Sequence, residues 1–453
     1  MTKITDNRME NVDILEDRKG SILRNRSLGC NGEGIKCDTN SVSGSVSQRA
    51  CVYCGARVVL NPITDAFHIV HGPIGCASYT WDIRGSLSSG EEIFRNSFST
   101  DLREKDIIFG GEKKLEAGLL EVVKTYQPKV IFVYATCIVG VIGDDVEAVC
   151  KKIGELYQIP VIAVKSPGFS GNKSTGYRLA CNAIMTLMEP FKEQEKTDGI
   201  NMLGDFNLAG ELWIVKRYLR EIGVNVIATL TGDSSYETLI KAPSARLNIV
   251  QCAGSSTYLA NRMKEDMNIP FLKVSFYGLE DIKQSMLRIA EVLGDKEMVN
   301  KAMQFCVQEE EKLKDFVDYY KEKLKGKKAA IYVGGGFKAI SLIRQFDSLG
   351  IETVLVGTQT GKADDYEIIQ AITKPDTVIL DDANPAELEK YMLEKGADIL
   401  VGGVKERPLA YKLGIAFCDH NHERKHPLAG YEGVINFTTE IYHSIFSPVF
   451  KYL

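Results

Sequence analysis

The sequence predicts an α/β protein built of three doubly wound, parallel-sheet (Rossmann-like) domains around a central ligand-binding cleft. Short, near-continuous apolar runs alternate with amphipathic segments from about residue 46 onward. This alternation is typical of parallel sheets that are covered by helices on both faces. Two charged stretches, 188–199 and 297–327, divide the pattern into three blocks that share no internal sequence repeat.

Ten apolar runs are predicted to form strands because they are short and rich in β-forming residues. In chain order they are Lys129–Thr136, Pro160–Lys165, Val224–Leu230, Arg246–Gln251, Pro270–Ser275, Lys328–Val333, Thr353–Val356, Thr377–Leu380, Asp398–Val401 and Gly414–Cys418. A helix is predicted to begin at Asp144–Asp145, since acidic side chains stabilise a helix N-terminus. Its apolar face is predicted to contain Val146, Val149, Ile153 and Leu156.

The predicted domain boundaries follow the three blocks. Residues 1–45 are polar and rich in Ser, Asn, Gly and charge, and we interpret them as a mobile arm or an extended wrap. Residues 46–195, 196–325 and 326–453 are predicted to be the three α/β domains.

Composition and charge argue against several classes of function. The 453 residues carry a net charge of −5, with Lys and Arg scattered along the chain. Nothing therefore favours binding to nucleic acid or to an anionic membrane surface. No apolar run is long enough to span a bilayer, and the first forty residues are too charged for a signal peptide. We expect a cytoplasmic location.

The chain contains eleven cysteines. An odd number in a long chain argues against a secreted disulfide framework, so each cysteine is either a small buried residue or a soft metal ligand. Four of them lie in predicted helices or strands and are interpreted as packing residues: Cys150, Cys181, Cys306 and Cys418. The roles of Cys30 and Cys37, which lie in the arm, and of Cys54 stay open.

Cys51 and Cys54 form a C-x-x-C pair, which alone is weak evidence for a metal. A redox pair would have to open a helix directly after a strand, and a zinc site would need a second pair at suitable spacing. Cys76 lies in HIVHGPIGC, whose glycines let backbone N–H groups approach a charged ligand. The neighbouring His68 and His71 are either ligands or structural residues.

Unusual residues follow several of the predicted strands. In open parallel sheets, ligands bind beyond the carboxyl ends of the strands, because loops and helix N-termini converge there. The residues at such ends are Cys137, Cys252, Gly334, Gly335, Gly336, Lys405, His420, Asn421 and His422. The three glycines match neither the G-x-G-x-x-G motif nor the P-loop motif of nucleotide-binding proteins. Close approach of the backbone to a bulky ligand explains three glycines as well as a nucleotide-binding loop would. Together, these residues predict that the cleft binds one anionic ligand, which soft donors such as thiolate would coordinate.

Several long runs of the chain resemble the nitrogenase component 1 superfamily. They are RACVYCGARVVLNPITDAFHIVHGPIGC, EKDIIFGGEKKL and ATCIVGVIGDDVEAV. The resemblance covers about residues 46–453 and leaves out the arm. VQCAGSSTYLANRM, VSFYGLEDI and DHNHERKHPLAGYEG are more similar to the NifE family of scaffold subunits for iron–molybdenum cofactor biosynthesis than to the catalytic NifD family.

The resemblance implies a partner and two metal clusters. The partner is NifN, in an α2β2 heterotetramer with a [4Fe-4S] cluster at each interface. Cys51, Cys76 and Cys137 match the ligands from this side, and NifN would supply the fourth. The central cleft would bind a second cluster, an eight-iron precursor of the cofactor that NifB delivers, and Cys252 matches the thiolate that holds one end of it.

The resemblance also implies which residues contact the other parts of the precursor. NifE proteins tend to place Asn where the catalytic subunit has its histidine ligand, which points to Asn421, with His420 as the alternative. A neutral amide would hold metal less firmly than imidazole, which suits a site that must release its guest. Lys405 matches a lysine that contacts homocitrate, and Gly335 and Gly336 are expected to let the backbone approach the precursor.

Further partners are implied for the maturation of the cofactor. The Fe protein NifH would supply molybdenum, homocitrate and electrons, and apo-NifDK would receive the product. Two departures from NifD argue against efficient dinitrogen reduction: Tyr177 and Arg178 stand in the place of a histidine, and Phe337 stands about where an arginine is found. Weak reductase activity stays open, and the alternative is the α subunit of a nitrogenase-like reductase.

Overall fold

The computed structural model describes residues 14–25, 34–37, 50–80, 87, 96–251, 253–294, 296–421 and 424–451. The chain divides into two compact units. The N-terminal unit is Ala50–Val274, and the C-terminal unit is Ser275–Leu453 together with the arm. No helix of the described residues is long and apolar enough to cross a membrane.

Strands and helices alternate through both units. The strands are β1 (Ile22–Arg24), β2 (Ala66–His71), β3 (Ser97–Ser99), β4 (Val130–Ala135), β5 (Val161–Lys165), β6 (Ile200–Asp205), β7 (Val226–Thr231), β8 (Leu247–Val250), β9 (Phe271–Lys273), β10 (Lys328–Val333), β11 (Glu352–Thr358), β12 (Val378–Asp381), β13 (Ile399–Gly402) and β14 (Ala416–Asp419). The helices are α1 (Val52–Leu60), α2 (Ile74–Tyr79), α3 (Glu104–Phe109), α4 (Glu112–Tyr126), α5 (Cys137–Ile142), α6 (Val146–Tyr157), α7 (Lys173–Met188), α8 (Glu211–Glu221), α9 (Tyr236–Leu239), α10 (Ala253–Met267), α11 (Leu279–Leu293), α12 (Lys296–Leu324), α13 (Gly336–Ser348), α14 (Ala363–Ile372), α15 (Pro385–Lys395), α16 (Arg407–Lys412) and α17 (Gly430–Ile445).

The described strands form three sheets. Sheet 1 (order β3-β2-β4-β5) and sheet 2 (order β7-β6-β8-β9) belong to the N-terminal unit and are parallel throughout. Sheet 3 (order β1-β12-β11-β10-β13-β14) belongs to the C-terminal unit, and its strands are parallel except for β1. The predicted α/β class with parallel sheets is confirmed.

Each sheet has one point at which the chain changes its winding direction. The chain starts in the interior, builds outward on one side, and then returns to build on the other. The two strands on either side of this switch point are β2 and β4 in sheet 1, β6 and β8 in sheet 2, and β10 and β13 in sheet 3. In a doubly wound sheet, the crevice for a ligand opens beyond the carboxyl ends of these two strands.

Helices α1 and α7 cross in direct contact because both carry a glycine at the crossing. A Cβ added at Gly55 would lie 2.2 Å from the carbonyl oxygen of Lys173, and one added at Gly176 would lie 2.1 Å from that of Val52. Any larger side chain would push the helices apart. The contact fixes the start of α1 beside the start of α7, and both helices pack into a core that also includes residues of sheets 1 and 2.

Helix α6 confirms the helix predicted at Asp144–Asp145. Asp145 is its N-cap, and the Asp145 carboxylate accepts a hydrogen bond from a backbone N–H of the first turn at 3.0 Å. Three of the predicted apolar positions are buried: Val146, Val149 and Ile153. The prediction for Leu156 is wrong, because its side chain is 62% exposed. The helix presents Tyr157, four residues after Ile153, to the core instead.

The described part of the arm lies along the edge of sheet 3. Strand β1 pairs antiparallel with β12, and a 3-10 helix, Glu16–Ser21, precedes it. The buried Arg18 guanidinium donates hydrogen bonds to both carboxylate oxygens of Glu387, each at 2.9 Å, and to the carbonyl of Asp381 at 2.7 Å. These contacts favour the interpretation of the arm as an extended wrap over that of a mobile arm.

All ten predicted strands are present, with ends that differ by a few residues. Four strands were not predicted: β1, β2, β3 and β6. The division into three domains and the central cleft between them stay predictions.

Candidate metal centre

Three of the predicted ligands lie at the switch point of sheet 1. Cys76 is in α2, which follows β2, and Cys137 is the first residue of α5, which follows β4. Cys51 is the N-cap of α1, and it forms an isolated antiparallel bridge with Asn172, the N-cap of α7. The close crossing of α1 and α7 therefore holds Cys51 at this place. Cys51 and Cys76 are half-buried, and Cys137 is exposed.

Gly168 lies against two of these thiols. Its backbone N–H donates a hydrogen bond to Cys137 Sγ at 3.0 Å. A Cβ added at Gly168 would lie 3.0 Å from Cys137 Sγ and 3.7 Å from Cys51 Sγ, so the two sulfurs are separated by no more than the sum of these distances. N–H donors of this kind stabilise the negative charge on thiolates that bind a cluster.

Cys76 is electrostatically coupled to the other two thiols. Burial raises the pKa of the Cys76 thiol, a hydrogen bond with Thr136 opposes that rise, and the charges of Cys137 and Cys51 add to it. The loops after β2 and β4 also touch, because a Cβ added at Gly72 would lie 2.0 Å from Thr136 Oγ1. A metal that binds Cys76 has to displace its proton, so binding at this centre releases protons.

The three thiols fit a cluster better than a single ion. Among the described residues, no three His, Cys, Asp or Glu side chains are placed to hold one metal ion. An iron–sulfur cubane needs a wider arrangement, since each thiolate binds a different iron atom. Cys137 and Cys51 lie against Gly168, and Cys76 lies within electrostatic reach of both, which is a looser arrangement than one metal ion requires.

Large apolar side chains are exposed in the loops and short helices beside the thiols. They are Ile74, Phe109, Val141 and Phe169, with exposed fractions of 56%, 87%, 70% and 65%. Phe169 directly follows Gly168, and α3, which ends at Phe109, packs beside α5. Apolar groups that gather around a site in this way are typical of a surface that another protein covers.

His71 is hydrogen-bonded through both ring nitrogens, as a structural residue would be, whereas His68 is hydrogen-bonded through Nδ1 alone. Both are buried. His68 Nδ1 is hydrogen-bonded to the Tyr134 hydroxyl at 2.9 Å. His71 is hydrogen-bonded through Nδ1 to Thr100 and through Nε2 to Asp144. Burial lowers the pKa of His71 even though the Asp144 carboxylate opposes this.

The interpretation of four cysteines as packing residues is confirmed. Each is at most 2% exposed: Cys150, Cys181, Cys306 and Cys418. Burial raises the pKa of both Cys150 and Cys181 to about 12, which keeps them protonated.

The remaining cysteines have different surroundings. Cys54 lies in the first turn of α1, just after Cys51, and is buried. Its thiol lies within electrostatic reach of Lys173 at the start of α7. Cys37 is half-buried within electrostatic reach of Tyr366. Cys30 lies outside the described residues.

The switch point of sheet 2 is where Cys252 was predicted to bind the guest. Cys252 itself lies outside the described residues, between the end of β8 and the start of α10. The preceding residue, Gln251, is buried, and neither its amide oxygen nor its amide nitrogen has a hydrogen-bond partner. Because a buried amide without partners is costly, Gln251 is suited to contact a ligand beside position 252.

The three glycines after β10 lie at the switch point of sheet 3. A Cβ added at Gly334 or Gly335 would meet nothing within 4 Å, so these two residues border open space. At Gly336 the added Cβ would lie 2.4 Å from Asp365 Cβ, so packing of α13 against α14 requires this glycine. Gly334 and Gly335 therefore have open space at the Cβ position, and the approach of the Gly335 and Gly336 backbone to a ligand stays a prediction.

The loop after β13 completes this switch point. Lys405 is exposed, and the buried Glu406 accepts a hydrogen bond from the Gly403 N–H at 2.8 Å. Burial raises the pKa of Glu406 to about 7, which the Gly403 hydrogen bond opposes. The amide nitrogen of Asn421 lies 2.9 Å from the point where a Cβ of Gly403 would be. Asn421 therefore borders the same loop as Lys405.

His420 points away from that loop into the core. Its ring packs edge-on against the rings of Tyr277 and Phe437, with centroids 5.4 and 5.7 Å away. The side chain is fully buried, and neither ring nitrogen has a hydrogen-bond partner. Burial, followed by the charges of Lys338 and Arg424, lowers the pKa of His420 well below its ordinary value. The imidazole is therefore neutral. His422 lies outside the described residues.

Comparison with known proteins identifies the family. The sequence profile of the family described as "Nitrogenase component 1 type Oxidoreductase" matches residues 51–446. The chain belongs to the nitrogenase component 1 family. All the site residues described above lie within the matched range.

Relatives place the chain more narrowly within the nitrogenase component 1 family. "Nitrogenase iron-molybdenum cofactor biosynthesis protein NifE" of Clostridium pasteurianum is 68% identical over 447 residues, covering 98% of each chain. The protein of the same name from Methanosarcina barkeri is 51% identical, covering 97% of each. The solved structure "Nitrogenase Cp1 at pH 6.5" has a TM-score of 0.89 at 31% identity, covering 96% of each chain. The predicted resemblance to NifE is confirmed.

Three residues of this nitrogenase component 1 chain depart, by the resemblance, from the catalytic pattern, and the structure locates them. Tyr177 is half-buried in the second turn of α7, with Lys173 Nζ 5.9 Å from the centroid of its ring. Arg178 is exposed. Phe337 is half-buried in the first turn of α13. A phenol and a guanidinium therefore stand where the resemblance puts a histidine in a reductase.

Two residues that shape the centre, Gly168 and Asn172, were not predicted from the sequence. Gly168 follows the predicted strand Pro160–Lys165 by three residues, so the rule that ligands bind at strand carboxyl ends could have found it. Asn172, which pairs with Cys51, carries no signal of its own, because the pairing depends on how α1 and α7 cross.

Proposed function

We propose that this chain is a scaffold subunit for biosynthesis of the nitrogenase iron–molybdenum cofactor. The observation that carries the proposal is the convergence of Cys51, Cys76 and Cys137 at one switch point, one thiolate short of a complete cluster site. The names and high identities of the NifE relatives support it. We also propose that the chain is cytoplasmic.

The first site would hold a [4Fe-4S] cluster that this chain shares with a partner. Three thiolates come from this chain, and we propose that NifN supplies the fourth ligand in an α2β2 heterotetramer. The exposed apolar side chains beside the thiols, Phe109 and Phe169 among them, support burial of this surface by a partner. The Gly168 N–H would balance part of the thiolate charge.

The second site would hold the eight-iron precursor that NifB delivers. Cys252 would bind one end of it, and the unpartnered amide of Gln251 would lie beside that end. At sheet 3, Asn421 is favoured over His420, because the Asn421 amide borders the Gly403 loop while the His420 ring is enclosed by aromatic side chains. Lys405 and Gly335 would contact the homocitrate and the precursor from the same edge.

In this proposal, the residues of the chain bind and orient a guest that is matured and then released. The Fe protein NifH would supply molybdenum, homocitrate and electrons, and apo-NifDK would accept the finished cofactor. Neutral ligands such as the Asn421 amide hold metal less firmly than imidazole or thiolate, which favours release. Any reductase activity would be weak, because Tyr177 and Arg178 replace the histidine of the catalytic pattern.

Single cysteine variants of the purified complex test the two sites separately. In Cys252→Ala, we expect the iron of the larger cluster to be lost while the EPR signal of the interfacial cluster remains. In Cys137→Ala, we expect the interfacial signal to be lost. Cys306→Ala, at a buried packing thiol, is the matched control and should retain both.

The outcomes separate the proposal from its alternatives. Unchanged iron content in Cys252→Ala would refute the second site. A complex that cannot activate apo-NifDK when NifH, molybdate and homocitrate are supplied would be a cluster store rather than a scaffold. Acetylene reduction at nitrogenase-like rates would favour a reductase subunit.

A further inference from the structure

A buried positive charge lies on the helix that Cys51 caps. Arg57 is in α1 and is only 3% exposed. Its Nη2 donates a hydrogen bond to the Ser97 hydroxyl on β3, and its guanidinium carbon lies 5.4 Å from the centroid of the Tyr134 ring. Its other two nitrogens, Nε and Nη1, are buried and have no hydrogen-bond partner.

Nothing in the described part of the chain neutralises this guanidinium. None of the ion pairs found among the described residues includes Arg57, and its hydrogen-bond partner Ser97 is uncharged. The nearby His68 cannot be an anion, and its pKa is lowered well below the ordinary value, first by burial and then by the charge of Arg57. A buried charge without a counter-charge is strongly unfavourable. A negative charge from outside the described protein groups would remove this cost.

The thiols are the part of the unit where such a charge would be. Arg57 is on the helix that Cys51 caps, six residues further along, which corresponds to roughly 9 Å of helix rise. Tyr53 connects the two regions: its ring packs edge-on against Tyr134, with centroids 5.7 Å apart, and its hydroxyl is 2.6 Å from Thr80 Oγ1. Thr80 Oγ1 in turn contacts the carbonyl oxygen of Cys76 at 3.3 Å.

The Tyr134 ring thus faces the guanidinium, while the Tyr53 hydroxyl contacts Thr80 at the end of the helix that contains Cys76. The low-dielectric core between the guanidinium and the thiols screens the field of Arg57 weakly.

We propose that Arg57 is the counter-charge of the iron–sulfur cluster held by Cys51, Cys76 and Cys137, and that it raises the reduction potential of this cluster. A cluster with thiolate ligands gains one negative charge when it is reduced, and a nearby fixed cation stabilises the more negative state. The inference rests on the proposed cluster site. It adds a residue that touches neither the thiols nor the guest but sets the potential at which the cluster transfers electrons.

Redox titration of the interfacial cluster, followed by EPR in the anaerobically purified complex, tests the inference. Arg57→Met removes the charge but keeps an unbranched apolar side chain, and we expect a lower midpoint potential than in the wild type. Arg57→Lys keeps the charge and should leave the potential close to the wild-type value. Arg262→Gln, which removes an exposed arginine paired with Asp266 in the same unit, is the remote control and should not change it.

A second pair of variants keeps Arg57 in place in case its removal prevents folding. Ser97→Asp puts a carboxylate where the Ser97 hydroxyl now accepts the guanidinium hydrogen bond. It should neutralise Arg57 and lower the midpoint potential, whereas the isosteric, neutral Ser97→Asn should not. Equal potentials in Ser97→Asp and Ser97→Asn, or a higher potential in Arg57→Met, would overturn the inference. Absence of an iron–sulfur EPR signal in the wild-type complex would instead refute the proposed cluster site itself.

Discussion

Replacing Glu406 by Gln is expected to stabilise the C-terminal unit above neutral pH and to lose this advantage as the pH falls toward 4.5. Glu406 is 2% exposed, and its Oε1 has no hydrogen-bond partner. Burial raises its pKa from 4.5 to about 7. A carboxyl group with a raised pKa contributes fully to stability below pH 4.5, where it is protonated in both states. It loses that contribution as the pH rises through 7.

The size of the effect follows from the pKa difference. A shift of one unit corresponds to 1.36 kcal/mol, so the rise from 4.5 to about 7 sets an upper limit of roughly 3 kcal/mol on the cost of the charged form. Gln carries no charge and keeps an oxygen that can accept the Gly403 N–H. Because its amide N–H groups would lack partners in this pocket, we expect a net gain of about 1–2 kcal/mol at pH 8.

Hydrogen exchange of the amides of sheet 3, measured between pH 5 and 8.5, would report this gain locally. In Glu406→Gln, protection should rise relative to the wild type by about tenfold at pH 8, and the difference should shrink toward pH 5. Glu291→Gln, at an exposed position on α11, is the matched control and should show no pH-dependent difference. A difference for Glu406→Gln that does not vary with pH would refute the reasoning.

Three further predictions concern packing and the thiol site. Gly176→Ala places a methyl group 2.1 Å from the carbonyl oxygen of Val52. We expect the free energy of unfolding, measured by urea denaturation, to fall by about 3 kcal/mol or more. An unchanged midpoint would show that α1 and α7 can separate freely. Ile153→Ala should lower the free energy of unfolding by about 2–5 kcal/mol because the side chain is fully buried. Leu156→Ala should change it by less than about 0.5 kcal/mol because that side chain is exposed. Equal losses would contradict the assigned faces of α6. Gly168→Ala should lower the iron content of the complex, because the new methyl group would crowd Cys137 Sγ at 3.0 Å, and full iron occupancy would refute the role of this glycine.

The strands that could be predicted from the sequence are those whose apolar run is continuous. Strands β4 and β10 are of this kind, and the structure buries them almost completely. Strand β2 was missed because His68 and His71 interrupt it, and His68 Nδ1 and both ring nitrogens of His71 find partners in distant segments. Strand β6 was missed for a similar reason: Asn201 is buried in it and donates a hydrogen bond to Asn248 of β8 at 2.8 Å. Polar residues inside a strand can be predicted only when their partners are known.

The candidate site was predictable to a similar extent. The ends of the strands and the resemblance to nitrogenase component 1 identified Cys51, Cys76 and Cys137 as ligands. Neither could identify Arg57, which in the sequence is one cation in an amphipathic helix and in the structure is a buried charge facing the core. Its role depends on Ser97 and Tyr134, whose distances from it are set by the packing of sheet 1.

The pairing of β1 with β12 has a consequence for how the nascent protein is completed. Arg18 and Glu387 are 369 positions apart in the sequence. During translation, the arm therefore leaves the ribosome long before its partner strand has been made. Once β12 emerges, its edge is open to other chains until the arm docks, and closing so long a loop makes this contact a late step. The arm can therefore dock only after most of sheet 3 has been synthesised. A chain that ends before β12 lacks Glu387, the partner of Arg18.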